Sequence, residues 1–165
     1  PVIGLQETGL SGCGALVKRH YDLVASAELL VLLGPIIASI AAAIRLTSRG
    51  PVLNRQDRMC HDGRVFQMLK FRSMKADAES AGPGWTREDD PRRTRLGRWL
   101  RARSLDELPQ LWNVLRGDMS LVGPRPERPA YIEAFRREIP GYMFRHLVRA
   151  GLTGWALVHV WRCDT

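Results

Sequence analysis

The longest apolar run of the chain occupies residues 23–44, where Glu28 is the only charged side chain. About 20 apolar residues are enough for a helix that crosses the hydrocarbon core of a bilayer. Basic residues flank the run on both sides, at positions 18–19 and at Arg45 and Arg49. Because basic residues favour the cytoplasmic side, this pattern predicts that both ends of the run lie in the cytoplasm.

Gly34 and Pro35 stand near the middle of this run. Proline removes one backbone donor and its ring clashes with the preceding turn, which favours a kink in a helix. We therefore expect a reentrant helix that enters the membrane, bends at Gly34 and Pro35, and returns. Two alternatives stay open at this point: a buried helix of a soluble core, and a kinked helix that spans the bilayer.

Downstream, two segments, 52–59 and 64–74, stand on either side of a His-Asp-Gly turn at 61–63 and look like a pair of strands. This pattern predicts a β-hairpin. Residues 77–95 are rich in acidic, glycine and arginine residues and predict a mobile loop that covers a site.

A short basic helix is predicted at 96–103, and a second helix is predicted to begin at Ser104. Ser104 would cap that helix while Glu107, three residues later, completes a capping box. Gly117 would end it. The apolar face of this helix would comprise Leu105, Leu108, Leu111, Trp112 and Leu115.

One further amphipathic helix is predicted at 128–138, where Pro140 follows as a stop signal. Its inward face would carry Tyr131, Ile132 and Phe135.

The charge balance adds an expected partner to this picture. The chain has 25 lysine and arginine residues against 17 acidic ones, a formal net charge of +8. Lys18, Lys70 and Lys75 are its lysines, so most of the positive charge is guanidinium, which binds phosphate oxygens in a bidentate fork. An anionic partner is expected: nucleic acid, anionic lipid or nucleotide phosphate.

The three cysteines, Cys13, Cys60 and Cys163, are far apart and form no C-x-x-C pair. They indicate neither a disulfide framework nor a zinc site, so a reducing compartment is the simplest interpretation. The sequence begins with Pro1 and lacks the cationic start of a secretion signal, from which we expect a trimmed N-terminus.

Asp106 and Glu107 are the candidate catalytic pair. Acidic residues in a first helical turn also stabilise the helix dipole, so the pair has a purely structural interpretation as well. Basic neighbours favour the functional one, because Arg101 precedes the pair and Arg125 follows between two prolines. Fixed arginines would bind phosphate and keep a carboxylate nucleophile ionised.

Other basic side chains have less specific settings. Lys70 and Arg72 alternate along a predicted strand and would share one face. Arg145 and His146 are adjacent, and a histidine without a partner motif is more often structural than catalytic.

Ordered motifs along the chain resemble the bacterial sugar transferase family, the monotopic polyprenyl-phosphate phosphoglycosyltransferases. The matching motifs are Lys18-Arg19-x-x-Asp22, the proline-broken apolar run, Thr47-Ser48-Arg49-Gly50-Pro51, Gln56-Asp57-Arg58, Lys70-Phe71-Arg72-Ser73-Met74, Asp90-Pro91-Arg92, Ser104-Leu105-Asp106-Glu107-Leu108-Pro109-Gln110, Asn113-Val114-Leu115-Arg116-Gly117-Asp118-Met119-Ser120, Gly123-Pro124-Arg125-Pro126 and Gly151-Leu152-Thr153-Gly154-Trp155.

The resemblance implies an α/β fold: a small, mainly helical catalytic domain with a short β-hairpin, anchored by an N-terminal reentrant membrane helix. It implies a linker at 1–17, a membrane-embedded helix at 18–49, and a cytoplasmic catalytic domain at 50–165 that is truncated at its C-terminus. The location would be the cytoplasmic face of the bacterial inner membrane.

It further implies a Mg²⁺-dependent transfer of a sugar phosphate from a UDP-sugar to undecaprenyl phosphate, which releases UMP and begins the assembly of a surface polysaccharide. Asp106 would be the nucleophile that forms a covalent aspartyl-phosphosugar, and Glu107 would hold the metal. The residues that would bind phosphate are Lys70, Arg72, Arg101, Arg125 and Arg145. The sugar and the glycan pathway are left open, and so is the formation of a homo-oligomer.

The chain departs from the family pattern at Cys60, Ala150 and Leu157, where glycine, proline and glutamine are usual. Cys60 is expected to strain a turn that needs a positive φ. An impaired membrane-associated scaffold of the same fold is therefore a rival interpretation. A nucleic-acid-binding module would explain the charge of +8 but neither the run at 23–44 nor the Asp106 and Glu107 pair, so no nucleic acid is expected as a partner.

Overall fold

A computed structural model describes residues 12–75 and 90–154 of the chain. Its first element is a long helix, α1, which spans Cys13–Thr47 and so begins ahead of the predicted boundary at residue 18. The helix assignment continues without a break through Gly34 and Pro35, and the Ser39 hydroxyl donates to the Pro35 carbonyl at 2.8 Å. Residues 77–89 of the predicted loop at 77–95, and Leu157, lie outside the described residues.

The predicted hairpin is confirmed. Strand β1 (Leu53–Met59) pairs antiparallel with β2 (Val65–Phe71), in a register that runs from Leu53 opposite Phe71 to Met59 opposite Val65. A short 3₁₀ turn at His61–Gly63 connects the two strands.

The strain expected at Cys60 is absent, so that prediction was wrong. Cys60 has an extended backbone with φ −122°, and the positive φ of this turn belongs to Gly63, at 72°. The Cys60 side chain is buried, donates from Sγ to the Asp118 carbonyl at 3.0 Å and accepts from the Ala150 amide at 3.4 Å. A cysteine at this position therefore adds two contacts without a backbone cost.

Helix α2 (Arg95–Ala102) confirms the short basic helix. Thr94 caps it, because its hydroxyl accepts from the Gly97 amide at 2.9 Å. Gly97 lies directly against the irregular segment that follows β2, where an added Cβ would stand 1.9 Å from the Ser73 carbonyl oxygen. Only glycine permits this approach, which fixes α2 beside the end of the hairpin.

The helix predicted to start at Ser104 does not start there. Residues Leu105–Glu107 form a 3₁₀ turn, and the next helix, α3, spans Gln110–Arg116 after Pro109. Ser104 is left-handed with φ 55° and its side chain makes no capping hydrogen bond, so the predicted capping box is wrong. Pro109 explains the difference, because it has no amide to donate to Leu105 and is favoured at a helix start.

This shorter helix also changes the buried face. Leu111, Asn113 and Val114 are buried, whereas Trp112, which was predicted to face inward, is 52% exposed. Gly117 ends α3 with φ 92°, as predicted.

The remaining elements are three-residue strands on either side of a helix. Strand β3 (Ser120–Val122) pairs in parallel with β4 (Gly151–Thr153), and neither strand was predicted. Helix α4 (Pro129–Glu138) confirms the prediction at 128–138, with Ile132 buried, and a 3₁₀ helix follows at Tyr142–Leu147.

The apolar core joins the C-terminal half of α1 to the domain. Ile40 and Ile44 of α1 pack with Phe71 of β2 and Leu100 of α2. A second cluster lies between the hairpin and α3 and comprises Met68, Val114 and Met119. The described part of the chain is thus a small mixed domain with two two-stranded sheets, and α1 is part of its packing.

The other end of α1 is fixed by polar contacts. Asp22 is 2% exposed and accepts hydrogen bonds from the Ser120 hydroxyl at 2.8 Å and from Lys18 at 2.6 Å. Arg19 donates to the carbonyls of Val114 and Leu115 at 2.6 and 2.8 Å, near the C-terminal end of α3. Both ends of α1 are therefore attached to the same folded body.

Candidate active site

Asp106 and Glu107 lie on the 3₁₀ turn between α2 and α3, immediately after the left-handed Ser104. Ser104 is the one non-glycine with a positive φ among the described residues, and that conformation costs roughly 1–2 kcal/mol. Asp106 is 5% exposed, and the Glu107 side chain is 19% exposed. The turn thus places two adjacent carboxylates in a shielded position at some cost in backbone strain.

Glu107 lies between two cations. Lys70 of β2 donates from Nζ to Glu107 Oε1 at 3.0 Å, and Arg125 lies 3.5 Å from the same oxygen. The Lys70 and Glu107 side chains are 18% and 19% exposed, so water weakens this pair less than it would a surface pair. Lys70 and Arg125, both predicted from the sequence, are therefore brought to the carboxylate pair.

Asn113 fixes the strand that carries Lys70. Its side-chain oxygen accepts from the Leu69 amide at 3.0 Å, and its amide group donates to the Gln67 carbonyl at 2.9 Å. A fully buried asparagine thus holds β2 against α3, close to the turn with the two carboxylates.

Arg101 of α2 approaches the pair from another direction. Its Nε donates to the Ser73 hydroxyl at 2.8 Å, and its charge acts on the Asp106 carboxylate. The close contact of Gly97 with Ser73 holds this helix, so Arg101 is positioned by the backbone as well as by its own hydrogen bond.

The two carboxylates have opposite electrostatic settings. Burial raises the pKa of Asp106, while the charges of Lys70 and Arg101 only partly offset that effect. Burial also acts to raise the pKa of Glu107, but the charges and hydrogen bonds of Lys70 and Arg125 outweigh it and hold that pKa below its ordinary value. The expectation that arginines alone would keep Asp106 ionised is therefore incomplete, because burial opposes them.

Arg72 and Arg145 bond elsewhere. Arg72 is 7% exposed and donates to the carbonyls of Arg49 and Ser48 at 2.9 Å each, just after α1. Arg145 donates to the Tyr142 hydroxyl at 3.0 Å and to the Arg125 carbonyl at 2.7 Å. In this arrangement Arg72 holds the end of α1, and Arg145 supports the loop that carries Arg125.

That loop is held by its backbone. The carbonyls of residues 124, 125, 126 and 127 each accept a hydrogen bond, from the Gly151 amide, Arg145, Arg58 and the Met59 amide respectively. The two prolines limit the backbone further, as the sequence predicted. Arg125 is thus presented on a fixed support, which limits the conformational cost of binding an anion.

A small pocket, open to solvent, lies next to Glu107. Lys70, Arg125, Arg58 and Gln110 supply its polar wall, and the others lining it are Met68, Glu107, Pro126, Gly151 and Leu152. The sequence predicted no role for Arg58 or Gln110. Each appears there only within a longer motif, and nothing in the pattern shows that a strand residue and a helix residue meet.

A preformed metal cluster is not found within residues 12–75 and 90–154, where no three His, Cys, Asp or Glu side chains converge. Mg²⁺ does not need such a cluster, because one or two carboxylates with water and substrate phosphates commonly hold it. Glu107 next to the pocket fits that donor set, although a metal would compete with Lys70 for its oxygen.

A buried carboxylate beside a second carboxylate and three cations has the groups that the transfer or binding of a phosphate group requires. The family comparison agrees with this class of site: the chain matches the bacterial sugar transferase family over residues 13–165, and it belongs to that family.

Individual relatives are similar over most of the chain. It is 47% identical over 165 residues to the UDP-glucose:undecaprenyl-phosphate glucose-1-phosphate transferase of Escherichia coli K12, covering 100% of this chain and 36% of that protein. It is 44% identical over 151 residues to the UDP-N-acetylgalactosamine-undecaprenyl-phosphate N-acetylgalactosaminephosphotransferase of Aeromonas hydrophila, covering 91% and 36%. A Caulobacter vibrioides UDP-glucose:undecaprenyl-phosphate glucose-1-phosphate transferase is 48% identical over 150 residues, covering 91% and 56%. The chain thus spans about a third to a half of the length of these relatives.

Proposed function

We propose that this chain transfers a sugar phosphate from a UDP-sugar to undecaprenyl phosphate and releases UMP. The observation that carries the proposal is the buried Asp106 on a fixed turn beside Glu107, Lys70, Arg101 and Arg125. The names of the relatives support the choice of donor and acceptor. They include both glucose and N-acetylgalactosamine transferases, so the sugar stays open.

In the proposed mechanism Asp106 is the nucleophile. An oxygen of its carboxylate bonds to the sugar-linked phosphorus as the bond from that phosphorus to the bridging oxygen breaks, and UMP leaves with the electron pair. An oxygen of the lipid phosphate then attacks the same phosphorus and releases Asp106. A carboxylate nucleophile divides one difficult displacement into two easier steps. Lys70, Arg101 and Arg125 would stabilise the negative charge that spreads over the phosphoryl oxygens.

We also propose that Mg²⁺ takes part, with Glu107 as the protein ligand. When bound, the metal would neutralise charge on the diphosphate. The low pKa of Glu107 supports this role, because a metal ligand has to be ionised. The second carboxylate, Asp106, would then be left for covalent chemistry.

The membrane proposal rests on α1. A stretch of 18 residues within this helix is apolar enough to cross a membrane, yet only 11% of the stretch is buried inside the protein. The core helix of a soluble protein would be mostly buried, so this exposure argues against that interpretation. A helix rises about 1.5 Å per residue, so Asp22 and Ile44 would lie about 33 Å apart along a straight axis, roughly a bilayer core. Asp22 and Ile44 nevertheless contact one domain.

We therefore propose that both ends of α1 lie on the cytoplasmic side of the bacterial inner membrane, with the apolar middle of the helix as a reentrant anchor. An active site at this interface would meet a soluble nucleotide sugar and a lipid phosphate together. The product, a polyprenyl diphosphosugar, would begin the assembly of a surface polysaccharide.

The test is a half-reaction without acceptor lipid. Incubation of the detergent-solubilised chain with a panel of UDP-sugars and Mg²⁺ should release UMP and yield a protein heavier by one phosphosugar in intact mass spectra. Asp106→Asn should form no adduct and lose transfer by several orders of magnitude. Asp57→Asn, the same change at an exposed position of β1, is the matched control and should behave like the wild type. UMP release by Asp106→Asn, or a wild-type protein that transfers without an adduct, would show that Asp106 is not the nucleophile.

A further inference from the structure

Two residues that line the pocket each carry a buried hydrogen-bond donor without a partner. Gln110 is 2% exposed and Arg58 is 4% exposed, yet Gln110 Nε2 and Arg58 Nε make no hydrogen bond. The other guanidinium nitrogens of Arg58 are used, by the Pro126 carbonyl at 3.1 Å and the Gln56 side chain at 2.7 Å. A buried donor without a partner costs about 1–3 kcal/mol, so such groups normally have a function or a bound ligand.

The charge of the pocket indicates what that ligand is. Its wall contains three cations, Arg58, Lys70 and Arg125, and one carboxylate, Glu107, which leaves a surplus of two positive charges. A bridging water would satisfy the two donors but not this surplus. A phosphate group satisfies both, because its oxygens accept hydrogen bonds and carry negative charge.

The location of the pocket relative to Asp106 indicates which phosphate it receives. Glu107 and Lys70 line the pocket, whereas Asp106 does not. Phosphoryl transfer places the attacking and leaving oxygens roughly in line across the phosphorus. In the first step Asp106 is on one side and the departing UMP phosphate is on the other. In the second step the lipid phosphate attacks from that same other side as the bond to Asp106 breaks.

We propose that Arg58 and Gln110 form an oxyanion subsite that binds the phosphate across from Asp106, first that of the departing UMP and then that of the lipid acceptor. This inference rests on the proposed function. It assigns two residues to the phosphate that is not attached to the sugar, which is that of UMP in the first half-reaction and that of the lipid in the second. Arg58 Nε and Gln110 Nε2 donate to its oxygens, with Lys70 and Arg125 at the entrance. One subsite then serves both half-reactions.

Binding of UMP and of uridine by isothermal titration tests the subsite without any need for turnover. Gln110→Met keeps the size of the side chain and removes the donor, and it is the deciding variant. Arg58→Lys keeps the charge and removes Nε, but it also removes the contacts with Pro126 and Gln56. Both variants should bind UMP at least about tenfold more weakly, the usual effect of losing a hydrogen bond to a charged group, while uridine binding is unchanged. Gln67→Met, the same change at an exposed position of β2, is the matched control and should bind UMP normally.

Thermal unfolding separates this role from a structural one. Gln110→Met removes a buried donor that has no partner, so its melting temperature should equal or exceed that of the wild type. UMP binding by Gln110→Met within twofold of the wild type would overturn the subsite and assign the two donors to water. An equal loss of UMP and uridine binding would overturn it as well, because the phosphate would not be what the residues contact.

Steady-state kinetics identify the source of the phosphate. A rise in KM for both the UDP-sugar and the polyprenyl phosphate supports a shared subsite. A rise for one substrate alone overturns the sharing and assigns the subsite to that substrate. If the wild type binds UMP in a Gln110-dependent way but releases none from any UDP-sugar, the subsite stands and the proposed function fails.

Discussion

Asp106 is a buried carboxylate whose ionised form is costly to the folded protein. Burial raises its pKa more than Lys70 and Arg101 lower it, and the neighbouring Glu107 charge adds to the effect. A raised pKa means that the folded state holds a proton on this group more tightly than the unfolded chain does. The site thus keeps a destabilised anion next to cations, as expected for a nucleophile poised for an electrophilic phosphorus.

This setting predicts that Asp106→Asn stabilises the fold at neutral pH. The stabilising contribution of a raised pKa is complete below the ordinary aspartate value of about 4 and is lost as the pH rises through the raised value. The variant should therefore melt a few degrees above the wild type at pH 7, and the difference should vanish near pH 4. Differential scanning fluorimetry across this range measures it, and a variant less stable than the wild type at pH 7 would contradict the electrostatic setting described for Asp106.

The lowered pKa of Glu107 predicts the opposite dependence of stability on pH. Its lowered pKa gives stability that is present above the ordinary glutamate value of about 4.3 and lost as the pH falls through the folded value. Glu107→Gln should cost about 1–3 kcal/mol at pH 7, because it leaves Lys70 and Arg125 without their counter-ion, and less in acid. Turnover should fall further than stability, by about 100-fold or more, with an altered Mg²⁺ response.

The matched control for that change is Glu133→Gln on α4. Glu133 pairs with Arg137, but their side chains are 62% and 77% exposed. An exposed pair contributes less than about 1 kcal/mol, so this variant should keep its stability and its turnover. A Glu107→Gln protein with the wild-type magnesium dependence would limit Glu107 to orienting Lys70 and Arg125.

At the residue scale, the sequence located the carboxylates better than it located their surroundings. Asp106 and Glu107 could be chosen because acidic residues next to arginines and a rigid proline turn are visible as a local pattern. Arg58 and Gln110 could not, because their common property is a missing partner, and that is known only once a strand and a helix are placed side by side.

Among the elements, α2 owes its position to Gly97, whose lack of a side chain allows the helix to approach Ser73 closely. A Cβ at residue 97 would stand 1.9 Å from the Ser73 carbonyl oxygen, a backbone atom that cannot rotate away. Gly97→Ala should therefore displace α2 and Arg101 with it, destabilise the protein by roughly 1–3 kcal/mol and lower turnover. Thermal unfolding and activity measured on the same preparation test both effects.

Gly34→Ala is the control for this substitution. Gly34 also lies inside a helix, but an added Cβ there would meet nothing within 4 Å. Alanine has the higher helix propensity, by about 1 kcal/mol, but a Cβ at the residue before Pro35 meets the proline ring and offsets part of that gain. The control should therefore differ little from the wild type in stability. Equal losses of stability and turnover in both variants would mean that the contact of Gly97 with Ser73 does not cause them.

The junction between α1 and the hairpin depends on Arg72, which donates to the carbonyls just after α1. Arg72→Met would leave the carbonyls of Ser48 and Arg49 without a donor, at a cost of about 1–3 kcal/mol each if they stay buried. Hydrogen exchange at the end of α1 should then rise, with KM for the UDP-sugar unchanged in the folded fraction. A higher KM with unchanged exchange would support the sequence prediction that Arg72 binds phosphate. Arg55→Met, at an exposed arginine of β1, is the control.

The success of the sequence predictions at the element scale follows the strength of the local signal. Two strand-like segments with a glycine-containing turn between them identified the hairpin correctly. The pattern around Ser104 equally suits a capped helix and a 3₁₀ turn, and Pro109 decided between them. Strands β3 and β4 have three residues each, which is too short for any periodicity to appear. Their pairing depends on a contact between distant parts of the chain.

For the whole molecule, the long helix is the feature that the sequence described only in part. Its apolar character and flanking charges were evident from the pattern. The contacts of Lys18 and Asp22 with Ser120, and of Ile44 with the Phe71 cluster, were not, because they join residues far apart in the sequence. These contacts attach both ends of α1 to one domain, and they are the basis of the proposal that the two ends lie on the same side of the membrane.

The two ends of α1 should therefore react alike with a membrane-impermeant maleimide. Cys13 is an exposed native probe at the first end, and Leu46→Cys introduces one at the other, where Leu46 is 86% exposed. In a background with Cys60→Ser and Cys163→Ser, neither probe should react in intact spheroplasts, and both should react once the membrane is permeabilised.

A third probe, Leu32→Cys, lies in the apolar middle of α1, where Leu32 is 73% exposed within the protein. If the lipid core covers this part of the helix, the probe should resist the aqueous maleimide even after the inner membrane is opened, and react only in detergent.

Labelling of Cys13 in intact spheroplasts together with protection of Leu46→Cys would mean that α1 spans the membrane. The contact between Asp22 and Ser120 could then not exist in the membrane-bound protein, and Asp22→Asn should leave its stability unchanged. If both ends face the cytoplasm, Asp22→Asn should instead lower the melting temperature, because Lys18 and Ser120 lose a buried acceptor.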